Sequence, residues 1–208
     1  MGRAPPPSAG GALKGTSPAR ALQARALPAG KGLRYAQHFQ MNSFPAVFLG
    51  LGSNVGDRAG ALARARALLG ARGFGESAVS ALYLTEPVGG PPQGWYLNQA
   101  LGGHTALRPE ELLRVCLDVE RELGRVRSAR NAPRTLDLDL LLHGDEVRRT
   151  AGLTLPHPRL HERLFVLVPL AEIAPRVRHP VLGATIEELR ESCPDRSEVR
   201  LFQPTAAR

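Results

Sequence analysis

Apolar and polar residues alternate most regularly over Leu136-Asp137-Leu138-Asp139-Leu140, and the leucines continue through Leu142. A period of two is the pattern of a β-strand, so Leu136, Leu138 and Leu140 are expected on one face and Asp137 and Asp139 on the other. Upstream, residues 46–51 form a short apolar run bounded by glycine and read as a buried strand. Gly52-Ser53-Asn54-Val55-Gly56-Asp57 then turns the chain, with Asp57 as N-cap of a helix over 58–69. Leu62, Ala65 and Leu69 give that helix one apolar stripe, and Gly70 and Gly73 end it. Further strands are expected over 79–84 and 95–101. Pro109, Glu110 and Glu111 open a second helix that runs through Leu112, Leu113, Cys116, Val119, Glu120 and Leu123 to a stop at Gly124. Residues 166–174 read as core and 185–191 as a short helix. The order β, α, β, β, α, β followed by helical pieces predicts an α+β protein: a ferredoxin-like two-layer sandwich with a mostly antiparallel sheet.

Composition changes this picture at the N-terminus. Residues 1–44 hold six of the 27 Lys and Arg, none of the 19 Asp and Glu, and no sustained apolar period. Such a segment cannot bury enough apolar surface to pack, so a disordered basic extension over 1–44 is expected ahead of one catalytic domain over 45–208. It lacks the amphipathic period of a transit peptide, and Met41, just before the first strand, is an alternative start. Without it the net charge falls from +8 to about +2, so the high pI says little about a nucleic-acid partner and none is expected. The longest apolar run, 164–170, is short and contains Pro169, so no membrane partner is expected either. The two cysteines have no metal or redox spacing, which points to a reducing, cytoplasmic setting, and a monomer is the expected form.

Candidate chemistry centres on the aspartates. Two residues apart on one strand face is roughly 6.5–7 Å. Carboxylates that close repel each other, and a hard divalent cation relieves the repulsion; Mg²⁺ is commonly held by one or two carboxylates with substrate phosphates. The bland alternative is a strand whose aspartates face water. Arg125, Arg127, Arg130 and Arg134 precede the pair with no acid between Leu123 and Asp137, so guanidinium forks adjoin a metal-type carboxylate pair, the two halves of a polyphosphate clamp. In the strand over 95–101, Tyr96 and Asn98 share a face and suit a planar heterocycle with donors and acceptors on its edge; an ordinary cross-strand contact is the alternative. The Pro- and Gly-rich loop over 85–94 has the make-up of a functional loop. His157 and His161 are four apart, but Pro158 between them and the lack of a third soft ligand argue against zinc. The glycines after the first strand fit no phosphate-binding fingerprint and read as a tight turn.

Four blocks, in order, resemble the 6-hydroxymethyl-7,8-dihydropterin pyrophosphokinases of folate synthesis. They are Leu49-Gly50-Leu51-Gly52-Ser53-Asn54 with Gly56-Asp57; Thr85-Glu86-Pro87 with Tyr96-Leu97-Asn98; Gly124-Arg125-Val126-Arg127 with Pro133-Arg134-Thr135-Leu136-Asp137-Leu138-Asp139; and Leu153-Thr154-Leu155-Pro156-His157. The resemblance spans about residues 46–180 and implies transfer of the β,γ-pyrophosphoryl unit of ATP to the pterin's hydroxymethyl oxygen, leaving AMP. It implies two Mg²⁺ ions on Asp137 and Asp139, a loop bearing Arg125 and Arg127 that closes over ATP, and Arg134, His157 and Arg163 on phosphates. Thr154 resembles a nucleotide contact and Glu120 an adenosine-side contact. The pterin is expected between Tyr96 and Phe165, its edge read by Asn98 and the backbone near Thr85 and Val88. This chain has Arg130-Asn131-Ala132-Pro133-Arg134 where many members have Arg-Trp-Gly-Pro-Arg, and Thr85-Glu86-Pro87 where some have Thr-Pro-Pro. Those departures bear on loop dynamics and affinity more than on the aspartates.

Two rival functions remain at this level. A two-aspartate nucleotidyl transferase would use the same metal on another acceptor, without needing Tyr96, Asn98 and Phe165 jointly. A basic nucleic-acid-binding domain would survive replacement of both aspartates and show a steep salt dependence.

Overall fold

The computed structural model describes residues 1–2, 44–89, 92–125 and 132–203. Most of the expected N-terminal extension therefore lies outside the described residues, as do Arg127, Arg130 and Asn131. The chain forms β1 (Ala46–Ser53), α1 (Arg58–Ala71), β2 (Gly75–Val79), β3 (Tyr83–Thr85), β4 (Tyr96–His104), α2 (Pro109–Glu122), β5 (Asp137–His143), β6 (Arg148–Arg149), β7 (Thr154–Leu155), α3 (Leu164–Ile173), α4 (Ile186–Ser192) and β8 (Val199–Leu201). The main sheet has the strand order β5-β1-β4-β3-β8, with β2 also on β4, and its pairs are antiparallel. Strands β5, β1, β4 and β3 with α1 and α2 make the ferredoxin-like α+β core.

Period-two patterning sets what each face of the sheet does. Val47, Leu49 and Leu51 of β1 join Leu97 and Leu101 of β4 and Leu138 and Leu140 of β5, and this face packs on Leu62, Ala65 and Leu69 of α1 and on Leu112, Cys116 and Val119 of α2. Cys116 is core, and burial pushes its thiol up to about 12. On the opposite face, Phe48, Ala100, Leu141 and Leu142 pack against Val166, Leu167 and Leu170 of α3 and Ile186 and Leu189 of α4. Both Leu141 and Leu142 reach this second cluster because β5 is bulged: Phe48 pairs with Leu142 and Leu49 with Leu140, which leaves Leu141 as the extra residue.

Local signals account for the helix ends. Asp57 accepts the Gly60 N–H at 2.9 Å and caps α1. Gly70 is still helical, and Gly73 (φ +92°) makes the turn beyond it. Gly124 (φ +81°) follows α2, and Thr185 with Glu188 forms a capping box for α4.

One expected strand is divided. Residues 79–84 are not continuous, because Ser80 turns inward between β2 and β3. Its Oγ accepts the Ala100 N–H at 2.9 Å, and its carbonyl accepts from the Gln99 amide at 2.8 Å. The neighbouring Ala81 N–H is taken by Glu172 of α3 at 3.0 Å, so this kink finds its hydrogen bonds outside the ladder. The short strands β6, β7 and β8 carry too little periodicity to be seen in the sequence.

Gly103 marks the tightest crossing in the sheet: a Cβ there would lie 2.5 Å from the Gly75 carbonyl oxygen and 2.6 Å from the Phe74 ring. Replacing it, Gly103→Ala, is expected to cost about 1–3 kcal/mol by overpacking, read as a lower urea midpoint with unchanged slope.

Candidate active site

Strands β5, β1 and β4 build the floor of the site by register. Asp137 pairs with Gly52, which pairs on its other side with Asn98; Asp139 pairs with Gly50, which pairs with Ala100. Both glycines face away from the α1/α2 core, so a bare strip separates the carboxylates from Asn98. At Gly52 a Cβ would lie 2.7 Å from Asn98 Oδ1 and 3.9 Å from Asp137 Cβ. The glycine-rich segment thus makes room on a strand surface rather than only forming a tight turn.

Over this floor opens a cleft of about 590 Å³, its open mouth included, bordered by Thr85, Val88, Tyr96, Asn98, Arg134, Asp137, Arg163 and Phe165. Tyr96 and Asn98 enter from β4 and Phe165 from the first turn of α3. The Asn98 amide nitrogen donates to Thr85 Oγ1 at 2.7 Å, and its Oδ1 lies over Gly52. The Arg163 guanidinium lies 5.3 Å from the Phe165 ring centre, a cation–π contact at the cleft wall. On the other side of β5 a second cleft is lined by Leu138, Asp139, Thr154 and His157, among others. Asp137 borders the first cleft and Asp139 the second, and the two together line a smaller pocket over Gly50 and Gly52 with Asn98 and Phe165.

The two aspartates are treated differently. Asp137 accepts from Arg125 Nη1 at 2.6 Å on one oxygen and from Arg134 Nη1 at 2.7 Å on the other. Among the described residues Asp139 makes no ion pair that close; His157 Nε2 is 4.0 Å away. Burial first, and the Asp137 charge second, push Asp139 up to about 7. A carboxylate raised in this way, beside another carboxylate and open to a cleft, fits a divalent cation. Among the described residues no third acidic, His or Cys ligand joins them, so a cation held here would need oxygen ligands from phosphate or water.

The other expected residues fall around this centre. His157 Nδ1 accepts the Arg159 N–H at 3.2 Å, so Nε2 carries the proton of the neutral ring and is the donor facing Asp139. Burial, then the Arg163 charge, lower its pKa to about 4 and keep that ring neutral. His161 stands edge-on to His179, ring centres 6.0 Å apart, rather than pairing with His157. Glu120 is only 2% exposed, and one carboxylate oxygen takes the Leu138 N–H at 2.7 Å and an ion pair with Arg125. It thus supports β5 and Arg125 from beneath. Arg127 lies outside the described residues.

Asn54 joins the site although no chemistry was read into it from the sequence. Its Oδ1 accepts the Arg134 N–H at 2.8 Å, while Nδ2 donates to Gln93 Oε1 at 2.9 Å and to the Gly94 carbonyl at 3.3 Å. Gln93 Oε1 also accepts from the Tyr96 hydroxyl at 3.1 Å. One amide therefore ties the loop after β3 to the arginine that grips Asp137. Arg159, at the cleft rim, was likewise unassigned. The only sequence signal for either was membership of a polar block, because both gain their meaning from contacts far along the chain.

Residues 48–175 match the family model described as 7,8-dihydro-6-hydroxymethylpterin-pyrophosphokinase (HPPK). The chain is 45% identical over 142 residues to the 2-amino-4-hydroxy-6-hydroxymethyldihydropteridine pyrophosphokinase of Bacillus subtilis, covering 68% of this chain and 85% of that one. It is 47% identical over 142 residues to the protein of the same name from Methylorubrum extorquens, covering 68% and 89%. Among solved structures, a Plasmodium falciparum HPPK-DHPS chain crystallised with pteroate superposes with a TM-score of 0.58 at 16% identity, over 73% of this chain and 42% of that one. At that identity the likeness speaks for the fold alone, and the present chain spans about two fifths of that longer protein. Family model, relatives and fold agree: the chain belongs to the 7,8-dihydro-6-hydroxymethylpterin-pyrophosphokinase family.

Proposed function

We propose that the cleft under Tyr96 and Phe165 receives the pterin, that the cleft beside Thr154 and His157 receives ATP, and that the reaction occurs at the Asp137–Asp139 junction. The reaction is that of the family: pyrophosphate passes from ATP to 6-hydroxymethyl-7,8-dihydropterin in folate biosynthesis, with AMP as the other product. The observation that carries the assignment of sites is that Asp137 borders the first cleft and Asp139 the second, while both line a smaller pocket between them on one strand face. A hydroxymethyl group entering from one side and a triphosphate from the other would meet at these carboxylates.

In this reading Tyr96 and Phe165 sandwich the ring, and Asn98 Oδ1, with the backbone near Thr85 and Val88, reads its polar edge. The hydroxymethyl oxygen attacks the β-phosphorus in line with the bond to the α-phosphate and gives up its proton to solvent; a new O–Pβ bond forms, the bond from Pβ to the bridging oxygen breaks, and AMP leaves with that oxygen. Arg134, Arg163 and the neutral His157 hold phosphate oxygens, and Thr154 contacts the nucleotide. Asp137 and Asp139 would hold two Mg²⁺ ions, which neutralise triphosphate charge when bound with ATP. Arg125 and Arg134, which pair with Asp137, would turn to phosphate once a cation takes their place on the carboxylate. Arg127 would act with Arg125 over the triphosphate. Both clefts are built from a single chain, in keeping with a monomer, and the buried free thiols of Cys116 and Cys193 suit the cytoplasm. No helix among the described residues is long and apolar enough to cross a membrane. Residues 45–208 form the catalytic unit, with 1–44 dispensable to it.

Incubation with ATP, Mg²⁺ and 6-hydroxymethyl-7,8-dihydropterin should yield AMP and pterin diphosphate one-for-one by chromatography, and chelation of Mg²⁺ should stop it. ADP in place of AMP would refute attack on the β-phosphorus. For Asp139→Ala, turnover should drop about a thousandfold, the several kcal/mol that metal-held charge neutralisation supplies, with a melting temperature no lower than the parent's at neutral pH, since a carboxylate raised by burial and by Asp137 is removed. Near-normal turnover in that folded variant would defeat the metal assignment. Asn98→Ala should raise KM for the pterin about tenfold or more and leave KM for ATP in place, since a buried polar contact to the ring edge is lost. Asn54→Ala, which frees both loops, should raise both KM values by about tenfold; a change confined to one substrate would show that the amide serves only one loop.

A further inference from the structure

The stretch from Asp195 to Phe202 lies beyond the residues matched by the family model, yet it touches three walls of the pterin cleft. Asp195 Oδ2 accepts the Leu164 N–H at 2.9 Å, at the start of the helix turn that carries Phe165. Strand β8 pairs with β3, and the pairing continues past Thr85: the Glu86 N–H donates to the Glu198 carbonyl at 3.0 Å, and the Glu198 N–H to Glu86 Oε2 at 3.3 Å. At the far end of the same loop, the Arg200 guanidinium covers the Trp95 ring at 5.1 Å from its centre. Glu86 and Trp95 bracket the loop whose Val88 and Gln93 border the cleft, so Glu198, just before β8, and Arg200 within it grip both of its ends. The strand is anchored independently of these contacts, since the Phe202 N–H donates to the Leu82 carbonyl at 2.8 Å and its ring packs on the main core.

We propose that the C-terminal strand β8 is a brace for the pterin cleft, with Arg200 as a positioning residue for substrate affinity acting through Trp95. Trp95 is placed to pass this on. Arg58 of α1 donates to its carbonyl at 2.6 Å, Asn54 holds the preceding Gly94, and Tyr96, the next residue, is the aromatic wall of the cleft. A guanidinium over the indole limits the positions of this hinge, and so those of Tyr96 and Gln93, before substrate arrives. The ordering that binding would otherwise require is already made, which favours affinity for the pterin and not the chemical step. Nothing in β8 borders the second cleft, so ATP should be indifferent to it.

The inference rests on the assignment of the first cleft to the pterin, and the experiment separates the two. In the full-length protein, Arg200→Ala is expected to raise KM for the pterin about three- to fivefold, the range for an exposed cation–π contact, with kcat and KM for ATP within twofold of the parent. Arg200→Lys should restore part of the loss. Trp95 is the sole tryptophan, so its emission reports the hinge directly and should shift to the red in Arg200→Ala before any ligand is added. An unchanged pterin KM, or an equal rise for both substrates, would overturn the brace. Asn98→Ala is the control. If it raises the pterin KM while Arg200→Ala does not, only the brace fails; if neither does, the cleft assignment fails with it.

Discussion

Everything at this site follows from putting two carboxylates on one face of a strand backed by a hydrophobic core. Their repulsion and partial burial must be met by cations. Asp137 takes two guanidiniums, one on each oxygen, while Asp139 has a raised pKa and a neutral histidine at 4.0 Å. The asymmetry leaves one carboxylate screened and the other ready for a cation.

The glycines of β1 are the complement of that charge. A strand between Asp137 and Asn98 would ordinarily fill the space with a side chain; Gly52 and Gly50 leave it empty, and a Cβ at 2.7 Å from Asn98 Oδ1 shows how little room there is. The same alternation that buries Val47, Leu49 and Leu51 beneath the sheet exposes the glycines above it. Core packing and site geometry are therefore set by one register, and a one-residue slip would exchange them.

Second-layer contacts then join parts that are distant in the chain. Asn54 reaches Arg134 and Gln93 together, Glu120 supports Arg125 and the β5 backbone, and Glu198 and Arg200 hold the loop after β3 at both ends. None of these residues has to touch a reacting atom to matter. Phosphoryl transfer asks mostly for positioning and charge neutralisation, so residues that fix other residues carry much of the outcome.

Within this chain, what was legible from the sequence is what is local. The period-two run put Asp137 and Asp139 on one face, the Asp57 cap and the Gly124 stop bounded helices, and the β, α, β, β, α, β order specified the core fold, because strand pleat and helix capping act over a few residues. The interruption at Ser80, the bulge at Leu141, the burial of Glu120 and the pairing of His161 with His179 were decided by partners elsewhere. Asn54 meets Arg134 across 80 residues, and Glu86 meets Glu198 across 112. Sequence fixes such contacts only through the completed sheet, since no short-range propensity distinguishes an asparagine that caps a turn from one that ties two loops; the tertiary structure alone brings their partners within hydrogen-bond reach.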